Sequence, residues 1–372
     1  MKLIWTLIAV FTVSIMTTTG ISGQDGSSGP LRIAVAGVSH GHSAFILGRK
    51  GRNDLKIVGI YEPDSKLAKR LAGQYNLDYG IFYNDLNKML EAVKPEAVAA
   101  FGSIYEHMSV VEACAPRHIH VMVEKPLATN MEHALKMEKL ARENNILLLT
   151  DYETSWYPST AKSFQLVNDS NFVGEIRKVV IHDGHQGPKE IGVNQEFFDW
   201  LTDPVQNGGG ALFDFGCYGA NLMTYLLKGE EPLSVTAVTS QYKPDIYPKV
   251  DDEATIIVSY PGAQCIIQAS WNWPFGRKDM EIYGVSGYVI ASNNQTMHLR
   301  NSKMNSESIT KVTSNDIPVY EDPFTYFADA VRGKIKMTDY DPYSLKNNIV
   351  VVKILSAARE SAKSGKTIFF AK

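Results

Sequence analysis

The chain has 372 residues, 44% of them hydrophobic and 21% charged, which is the balance of a soluble globular protein and excludes disorder, collagen and coiled coil as its main class. Lys and Arg number 37 against 40 Asp and Glu, a net charge of −3, so the cation surplus of a general nucleic-acid binder is missing. Three cysteines, Cys114, Cys217 and Cys265, cannot all pair within one chain and none lies in a CxxC spacing; buried free thiols are expected.

Met1-Lys2 leads an apolar run from Leu3 to Met16, followed by small and polar residues up to Gln24. One positive charge and a short apolar core describe a secretory signal peptide over residues 1–23, shorter than the ~20 residues of a spanning helix. The protein is therefore expected to be exported, periplasmic or secreted, with no stable membrane span after processing. An uncleaved anchor is the alternative. Residues 25–30 read as a spacer.

From residue 31 strands alternate with helices. Leu31–Ala36, Lys56–Tyr61, Ala97–Phe101, Ile119–Val123 and Ile146–Thr150 are short apolar runs, as strands buried on both faces of a parallel sheet are. Helical spacing falls between them: from Ser43, over Ser65–Gln74, Asn84–Val93, Met108–Ala115 and Asn130–Asn144. This order predicts a doubly wound Rossmann domain over 31–150. The texture then changes. A helix over Pro158–Val167 precedes extended segments at Arg177–His185, Ser234–Tyr242, Ala254–Tyr260, Ala263–Trp273, Met280–Tyr283 and Tyr288–Ser292, interrupted by a helix over Ala211–Leu227. Asp322–Arg332 and Pro342–Ala362 close the chain as helices. The fold class is α/β, with a second α/β domain over 151–340 built on a large, mostly antiparallel sheet, and a C-terminal helix and terminal strand over 341–372.

Three constellations carry chemistry. The turn Gly37-Val38-Ser39-His40-Gly41-His42 sets two glycines at the mouth of a helix, where free N–H groups hold a diphosphate. Ser39 and His42 stand where GxGxxG has its second and third glycines, so a plain strand–helix turn is the alternative. Glu62 ends the second strand roughly 20 residues on, where an acid accepts from ribose hydroxyls and repels a 2′-phosphate. NAD is expected over NADP; a solvated turn residue before Pro63 is the other reading. The second constellation is Glu124-Lys125-Pro126 at the end of a buried strand, where open sheets bind ligands. The third is Gly208-Gly209-Gly210 followed by Asp214 and Tyr218, four apart on one expected helical face. A packed carboxylate and phenol would show the same spacing.

These residues, in this order and at these separations, resemble the Gfo/Idh/MocA oxidoreductases over nearly the whole chain after the leader. The segment Asp151 to Pro158, with Glu153 and Trp156, followed by Gly174-Glu175-Ile176, is similar to that family's passage into its second domain. Many members of the family have histidine where this chain has Tyr218; tyrosine there resembles the glucose–fructose oxidoreductase and dihydrodiol dehydrogenase branch. The resemblance implies a nicotinamide cofactor lined also by Glu124, Lys125 and Pro126, a sugar or polyol substrate near Glu153 and Trp156, and a homo-oligomer through the C-terminal sheet. The chain departs from the family at Gly102 to His107, where an asparagine is usual, and at Asn221, where many members have an acid.

Side-chain chemistry suggests roles. An isolated tyrosine, with pKa ≈ 10, is a poor base at neutral pH. An ammonium from Lys125 would lower that value, so Tyr218 is expected to exchange the hydroxyl proton, Lys125 to polarise the oxygen and Asp214 to orient the substrate. The first two roles are interchangeable. His185, beside the Gly187-Pro188 bend, is a substrate-contact candidate. Trp271 and Trp273 have the chemistry to stack on a sugar. His182 and His185 flank Asp183 without a recognised metal-ligand spacing, and no metal is expected.

A leader of this type exports an unfolded chain, whereas dinucleotides are scarce outside the cytoplasm. Three functions are therefore open: an exported dehydrogenase acting on a sugar or glycoside, a glycosidase using tightly bound NAD in a redox-neutral cycle, and a non-catalytic carbohydrate-binding protein.

Overall fold

The computed structural model describes residues 29–49 and 51–371; the expected signal peptide lies outside them. Its first layer is built by β1 (Leu31–Ala36), α1 (Ser43–Leu47), β2 (Leu55–Tyr61), α2 (Ser65–Tyr75), β3 (Phe82–Tyr83), α3 (Leu86–Val93), β4 (Ala97–Ala100), α4 (His107–Cys114), β5 (His120–Glu124), α5 (Met131–Glu143) and β6 (Leu148–Asp151). The strands pair in parallel in the order β3-β2-β1-β4-β5-β6, so chain order reverses between β1 and β4. Ligands of such sheets bind at that reversal. Side-chain caps start the helices: Asp64 accepts from the N–H groups of Lys66 and Leu67, Asp85 from Lys88, and Asn130 from His133.

The second layer follows as α6 (Pro158–Phe164), β7 (Ile176–Gly184), α7 (Gln195–Leu201), α8 (Ala211–Asp214), α9 (Gly216–Leu226), β8 (Ser234–Ser240), β9 (Glu253–Ser259), β10 (Gln264–Ser270), β11 (Arg277–Gly284), β12 (Gly287–Ala291), β13 (Thr296–Asn301), β14 (Ser308–Lys311), α10 (Pro323–Val331), α11 (Leu345–Ser364) and β15 (Ile368–Phe369). Nine strands pair as β14-β13-β12-β11-β7-β10-β9-β8-β15. β7 and β10 run parallel at the centre, and the other neighbours antiparallel. The inward side chains Val179, Ile181, Ile256, Cys265, Ile267 and Met280 share one buried core with α9 and α11. At Gly219 of α9, a Cβ would lie 2.6 Å from the Ile267 side chain, so glycine lets this helix settle directly on β10.

Two C-terminal helices join the layers. α10 falls inside the expected second domain, yet Phe324 and Phe327 pack with Ile33, Val35 and Phe101 against the first sheet. Arg49 anchors it, pairing with Asp54 at 2.7 Å and with its N-cap Asp322 at 2.9 Å. α11 serves both layers: Val352 lies in a core with β4 and β5, whereas Val351, Ile354 and Leu355 lie in the core under the large sheet. Each large apolar side chain so enclosed contributes about 1.5–3 kcal/mol. The three cysteines are free and buried, as expected. Among the described residues no helix is long and apolar enough to cross a membrane.

His107, at the start of α4, is fully buried with Nδ1 3.1 Å from the Leu127 carbonyl oxygen. Burial lowers its pKa from 6.5 to about 4. As pH falls through that interval the unfolded chain gains a proton that the folded chain does not, so stability declines. Thermal unfolding followed by circular dichroism is expected to show a steeper loss of Tm between neutral pH and pH ~4 for the wild type than for His107→Gln.

Candidate functional site

The first cluster lies where β1 and β4 part. Gly37 has φ +74°, and a Cβ there would come 2.7 Å from the Gly102 nitrogen, so only glycine fits this approach. Together with Ser39, Tyr61, Glu62, Gly102 and Glu106 it lines a cleft of about 100 Å³. Glu62 accepts from the Val38 N–H at 3.1 Å and the Asp64 N–H at 2.9 Å, each on a different carboxylate oxygen. Each oxygen keeps a further acceptor position. Burial raises the Glu62 pKa, and those two N–H groups pull it partly back. A glycine crossing beside a carboxylate with spare lone pairs fits the adenosine side of a dinucleotide.

The histidines of the turn are more enclosed than a phosphate-facing loop requires. Phe197 and Trp200 of α7 pack on the His40 ring at centroid distances of 4.4 and 5.6 Å, and the Trp200 Nε1–H donates to the Ser39 hydroxyl at 3.1 Å. Ser39 and His40 are thus held by the second layer. Burial lowers the His40 pKa to about 3, leaving the ring neutral at physiological pH. His40, His42 and Glu124 bring potential metal ligands within 4.8 Å of one another. The His42 backbone N–H, however, donates to His40 Nδ1 at 3.0 Å. The neutral ring then carries its proton on Nε2, the nitrogen facing Glu124 at 3.9 Å, and offers that carboxylate a proton instead of a metal a lone pair. Glu124 also lies 3.1 Å from His42 Nδ1; burial pushes its pKa up, but the two imidazoles and Lys125 outweigh this and hold it at about 2.

The second cluster joins the layers. Lys125 follows β5, with its peptide bond to Pro126 in the cis form, and its ammonium is buried. Nζ lies 2.5 Å from Asp214 Oδ1 and 2.9 Å from the Asp214 carbonyl oxygen. The second Asp214 oxygen accepts from the Trp271 indole N–H at 2.9 Å. Burial acts against the Lys125 charge, but Asp214 prevails and raises its pKa above the usual lysine range. Asp214 stays below the usual carboxylate range against its own burial, through that same ammonium. Tyr218 lies alongside, its ring centre 5.3 Å from Lys125 Nζ, with Tyr152 edge-on at 5.4 Å. The expected convergence of ammonium and phenol is present.

Several expected roles change. Asp214 holds the Lys125 ammonium through one oxygen and the Trp271 indole through the other, and so orients the ammonium. The expected helix over 211–227 breaks at Phe215, between α8 and α9, so Asp214 and Tyr218 stand on two helices and do not share one face. The Tyr218 phenol is not acidified by Lys125: burial first, then the charges of Glu153 and Asp183, raise its pKa well above the ordinary 10.0. Trp271 is fully buried and cannot stack on a sugar. The glycine run is a packing device, because a Cβ at Gly210 would come 1.7 Å from the Asp251 carbonyl oxygen, while Gly208 and Gly209 lie against the Phe213 ring. Asn221 is structural, its amide bonded to the Pro342 carbonyl oxygen at 2.8 Å.

His185 remains at the site with its ring edge-on to Phe215 at 4.9 Å and Nδ1 accepting from the Gly187 N–H; burial lowers its pKa. Glu153 is committed to Lys278 and to the Tyr157 hydroxyl, and half-buried Trp156 faces Phe45 at 6.4 Å. Sequence reasoning missed two site residues. Lys278 of β11 has Nζ 3.4 Å from the Tyr218 hydroxyl. Asp183, its register partner on β7, is buried, with an Oδ1 that has no hydrogen-bond partner. Burial pushes the pKa of Asp183 well above its ordinary value, and likewise that of Asp151, so both favour the neutral acid. The strand expected over Met280–Tyr283 begins three residues earlier, at Arg277, and so takes in Lys278, which nothing in the sequence marked.

The comparisons agree with this geometry. Residues 31–152 match a family described as "Oxidoreductase family, NAD-binding Rossmann fold", and residues 165–290 match "GFO/IDH/MocA C-terminal domain". D-Xylose 1-dehydrogenase [NADP(+)] of Haloarcula marismortui is 21% identical over 351 residues, which is 93% of this chain and 94% of that protein. Trans-1,2-dihydrobenzene-1,2-diol dehydrogenase of Xenopus tropicalis is 27% identical over 224 residues, 58% of this chain and 61% of that protein. Among solved structures, the inositol dehydrogenase homolog from Azotobacter vinelandii complexed with NAD+ superposes with a TM-score of 0.77 at 16% identity, covering 94% of this chain and 100% of that one. Aldose-aldose oxidoreductase from Caulobacter crescentus complexed with glycerol gives 0.75 at 20%, covering 92% and 100%. With both halves matched in order, and the Lys125–Asp214–Tyr218 cluster formed between them, the chain belongs to the Gfo/Idh/MocA family of oxidoreductases.

Proposed function

We propose that the protein is an exported, NAD-preferring dehydrogenase that interconverts a secondary alcohol of a neutral sugar or glycoside with the corresponding ketone. The convergence of Lys125, Asp214 and Tyr218 beside the dinucleotide cleft carries this reading. A bound nicotinamide dinucleotide supplies a hydride acceptor in one direction and a hydride donor in the other. Gly37 and Glu62 are the residues that would receive its adenosine half.

The chain's own residues divide the remaining work. Lys125, locked by Asp214, and Tyr218 are both protonated at neutral pH and offer two donors to one substrate oxygen. Such fixed donors stabilise negative charge as it develops there, without reorganisation. Tyr218 then gives its proton to that oxygen when a carbonyl is reduced, and takes one when an alcohol is oxidised. The orphaned atoms Asp151 Oδ1, Thr154 Oγ1 and Asp183 Oδ1 favour a polyhydroxyl ligand, because buried polar atoms need partners. Neutral Asp151 and Asp183 have both a donor and an acceptor to give sugar hydroxyls.

Lys125→Met is expected to lower kcat on the order of a thousandfold, and Tyr218→Phe about a hundredfold, with dinucleotide binding by calorimetry nearly unchanged. The raised Tyr218 pKa sets the sign of the pH response. Oxidation needs the phenolate, so its rate climbs as pH rises into the alkaline range, whereas reduction needs the phenol and declines there. Wild-type turnover retained in Lys125→Met would sink the assignment.

Cofactor choice rests on Glu62, whose carboxylate lines the cleft and would face the ribose of a bound dinucleotide. Removing that charge in Glu62→Gln is expected to raise affinity for NADP relative to NAD about tenfold, read as the ratio of Kd values. An unchanged ratio would remove Glu62 from the choice. Export rests on the leader over 1–23. The mature N-terminus of protein recovered from the periplasm or medium of the native host, read by mass spectrometry, is expected to begin shortly after residue 23. Recovery only from cytoplasm, with Met1 or Lys2 intact, would refute it.

A further inference from the structure

Tyr218 is buried among groups from five elements. Lys125 and Glu124 reach it from the end of β5, Tyr152 and Glu153 from the turn after β6, Asp183 from β7, Lys278 from β11, and Cys217 from its own helix. The carboxylates among them make the phenolate costly to form. Two cations stand against them. Lys125 is turned to Asp214, with Nζ 5.3 Å from the Tyr218 ring centre. Lys278 is closer, 4.5 Å from the ring centre and 3.4 Å from the hydroxyl oxygen.

We propose that Lys278 is a positioning residue for the Tyr218 proton: tethered by Glu153, its ammonium donates to the phenol oxygen, leaving the hydroxyl hydrogen to point at the substrate. This inference rests on the redox reading only for its kinetic consequence. An ammonium has three donors and no acceptor, so Tyr218 can only receive from it. The arrangement fixes the rotation of the hydroxyl and holds the negative charge when the proton departs. Lys278 itself gains and loses no proton. When an alcohol is oxidised the substrate hydroxyl proton would pass to the Tyr218 phenolate oxygen, and a bound nicotinamide dinucleotide would supply the hydride acceptor.

Glu153 tunes this device with the opposite sign. It ion-pairs with Lys278, and its hydrogen bond from Tyr157, 2.6 Å long, keeps the carboxylate in place. Loss of Lys278 leaves Tyr218 facing an unpaired carboxylate, whereas loss of the Glu153 charge leaves it facing an unpaired ammonium. The two changes therefore move the phenol's proton affinity in opposite directions, which a purely structural role for either residue does not predict.

The test compares wild type, Lys278→Met, Lys278→Arg and Glu153→Gln in the full chain, with melting temperatures as the fold control. In Lys278→Met the alkaline rise of alcohol oxidation is expected to move up by about one pH unit or more, so kcat near neutral pH falls about tenfold while KM and the dinucleotide Kd hold. Glu153→Gln is expected to move the rise down, and Lys278→Arg to restore most of the lost rate. A readout free of turnover is the Tyr218 Cζ resonance in carbon-13 NMR, assigned by its disappearance in Tyr218→Phe. It is expected to shift in Lys278→Met at neutral pH and to stay close to wild type in Lys278→Arg. An unmoved resonance, or pH profiles that move the same way in Lys278→Met and Glu153→Gln, overturns the proposal. Failure of every sugar to turn over, with the resonance shifting as described, instead overturns the redox reading and leaves the Lys278–Tyr218 contact standing.

Discussion

The ion pair between Lys125 and Asp214 is the contact around which the two layers are organised. It closes a gap of 89 positions in sequence at 2.5 Å, both partners are buried, and the indole of Trp271 satisfies the remaining carboxylate oxygen. Taking two charges out of water is expensive, and a bare buried pair adds little net stability. Here the further hydrogen bonds from Lys125 to the Asp214 carbonyl oxygen and from Trp271 to Asp214 make the geometry single-valued. Truncating one partner would leave an uncompensated buried charge, about 3–5 kcal/mol in comparable cases. A site that must present an ammonium to a reacting oxygen gains direction from such an arrangement more than stability.

The same burial explains the electrostatics of the neighbours. Carboxyls that touch a cation, Asp214 and Glu153, remain ionised, whereas Asp151 and Asp183, enclosed without a direct cationic partner, are driven toward the neutral acid. Four acids of similar chemistry are thus separated into two charged and two uncharged ones at the same pH.

Much of this was legible in the sequence, for identifiable reasons. The parallel strands are runs buried on both faces, which few other elements produce, and Glu124-Lys125-Pro126 stands at the end of one of them. The helices at α2, α3 and α5 start within two residues of the positions read from their spacing, where Asp64, Asp85 and Asn130 cap them. What escaped was whatever depends on distant segments meeting. α7, with Phe197 and Trp200, is a helix of about two turns whose purpose is visible only beside His40. The break at Phe215 leaves no mark in the helical periodicity. Lys278 looks like a solvated strand residue until the register of β11 on β7 sets it opposite Asp183. The expectation that Lys125 acidifies Tyr218 had the right neighbour and the wrong sign, because depth of burial cannot be read from spacing.

α11 has a mechanical consequence. With one side chain, Val352, in the nucleotide-binding core and the next turn, Ile354 and Leu355, in the core beneath the large sheet, this helix works as a splint. α10 reinforces it by crossing back to the first layer after the chain has left. Prising the halves apart as rigid bodies would tear one packed interior or the other, so the frame that sets Lys125 against Asp214 is held from behind by the same helix that fills both cores.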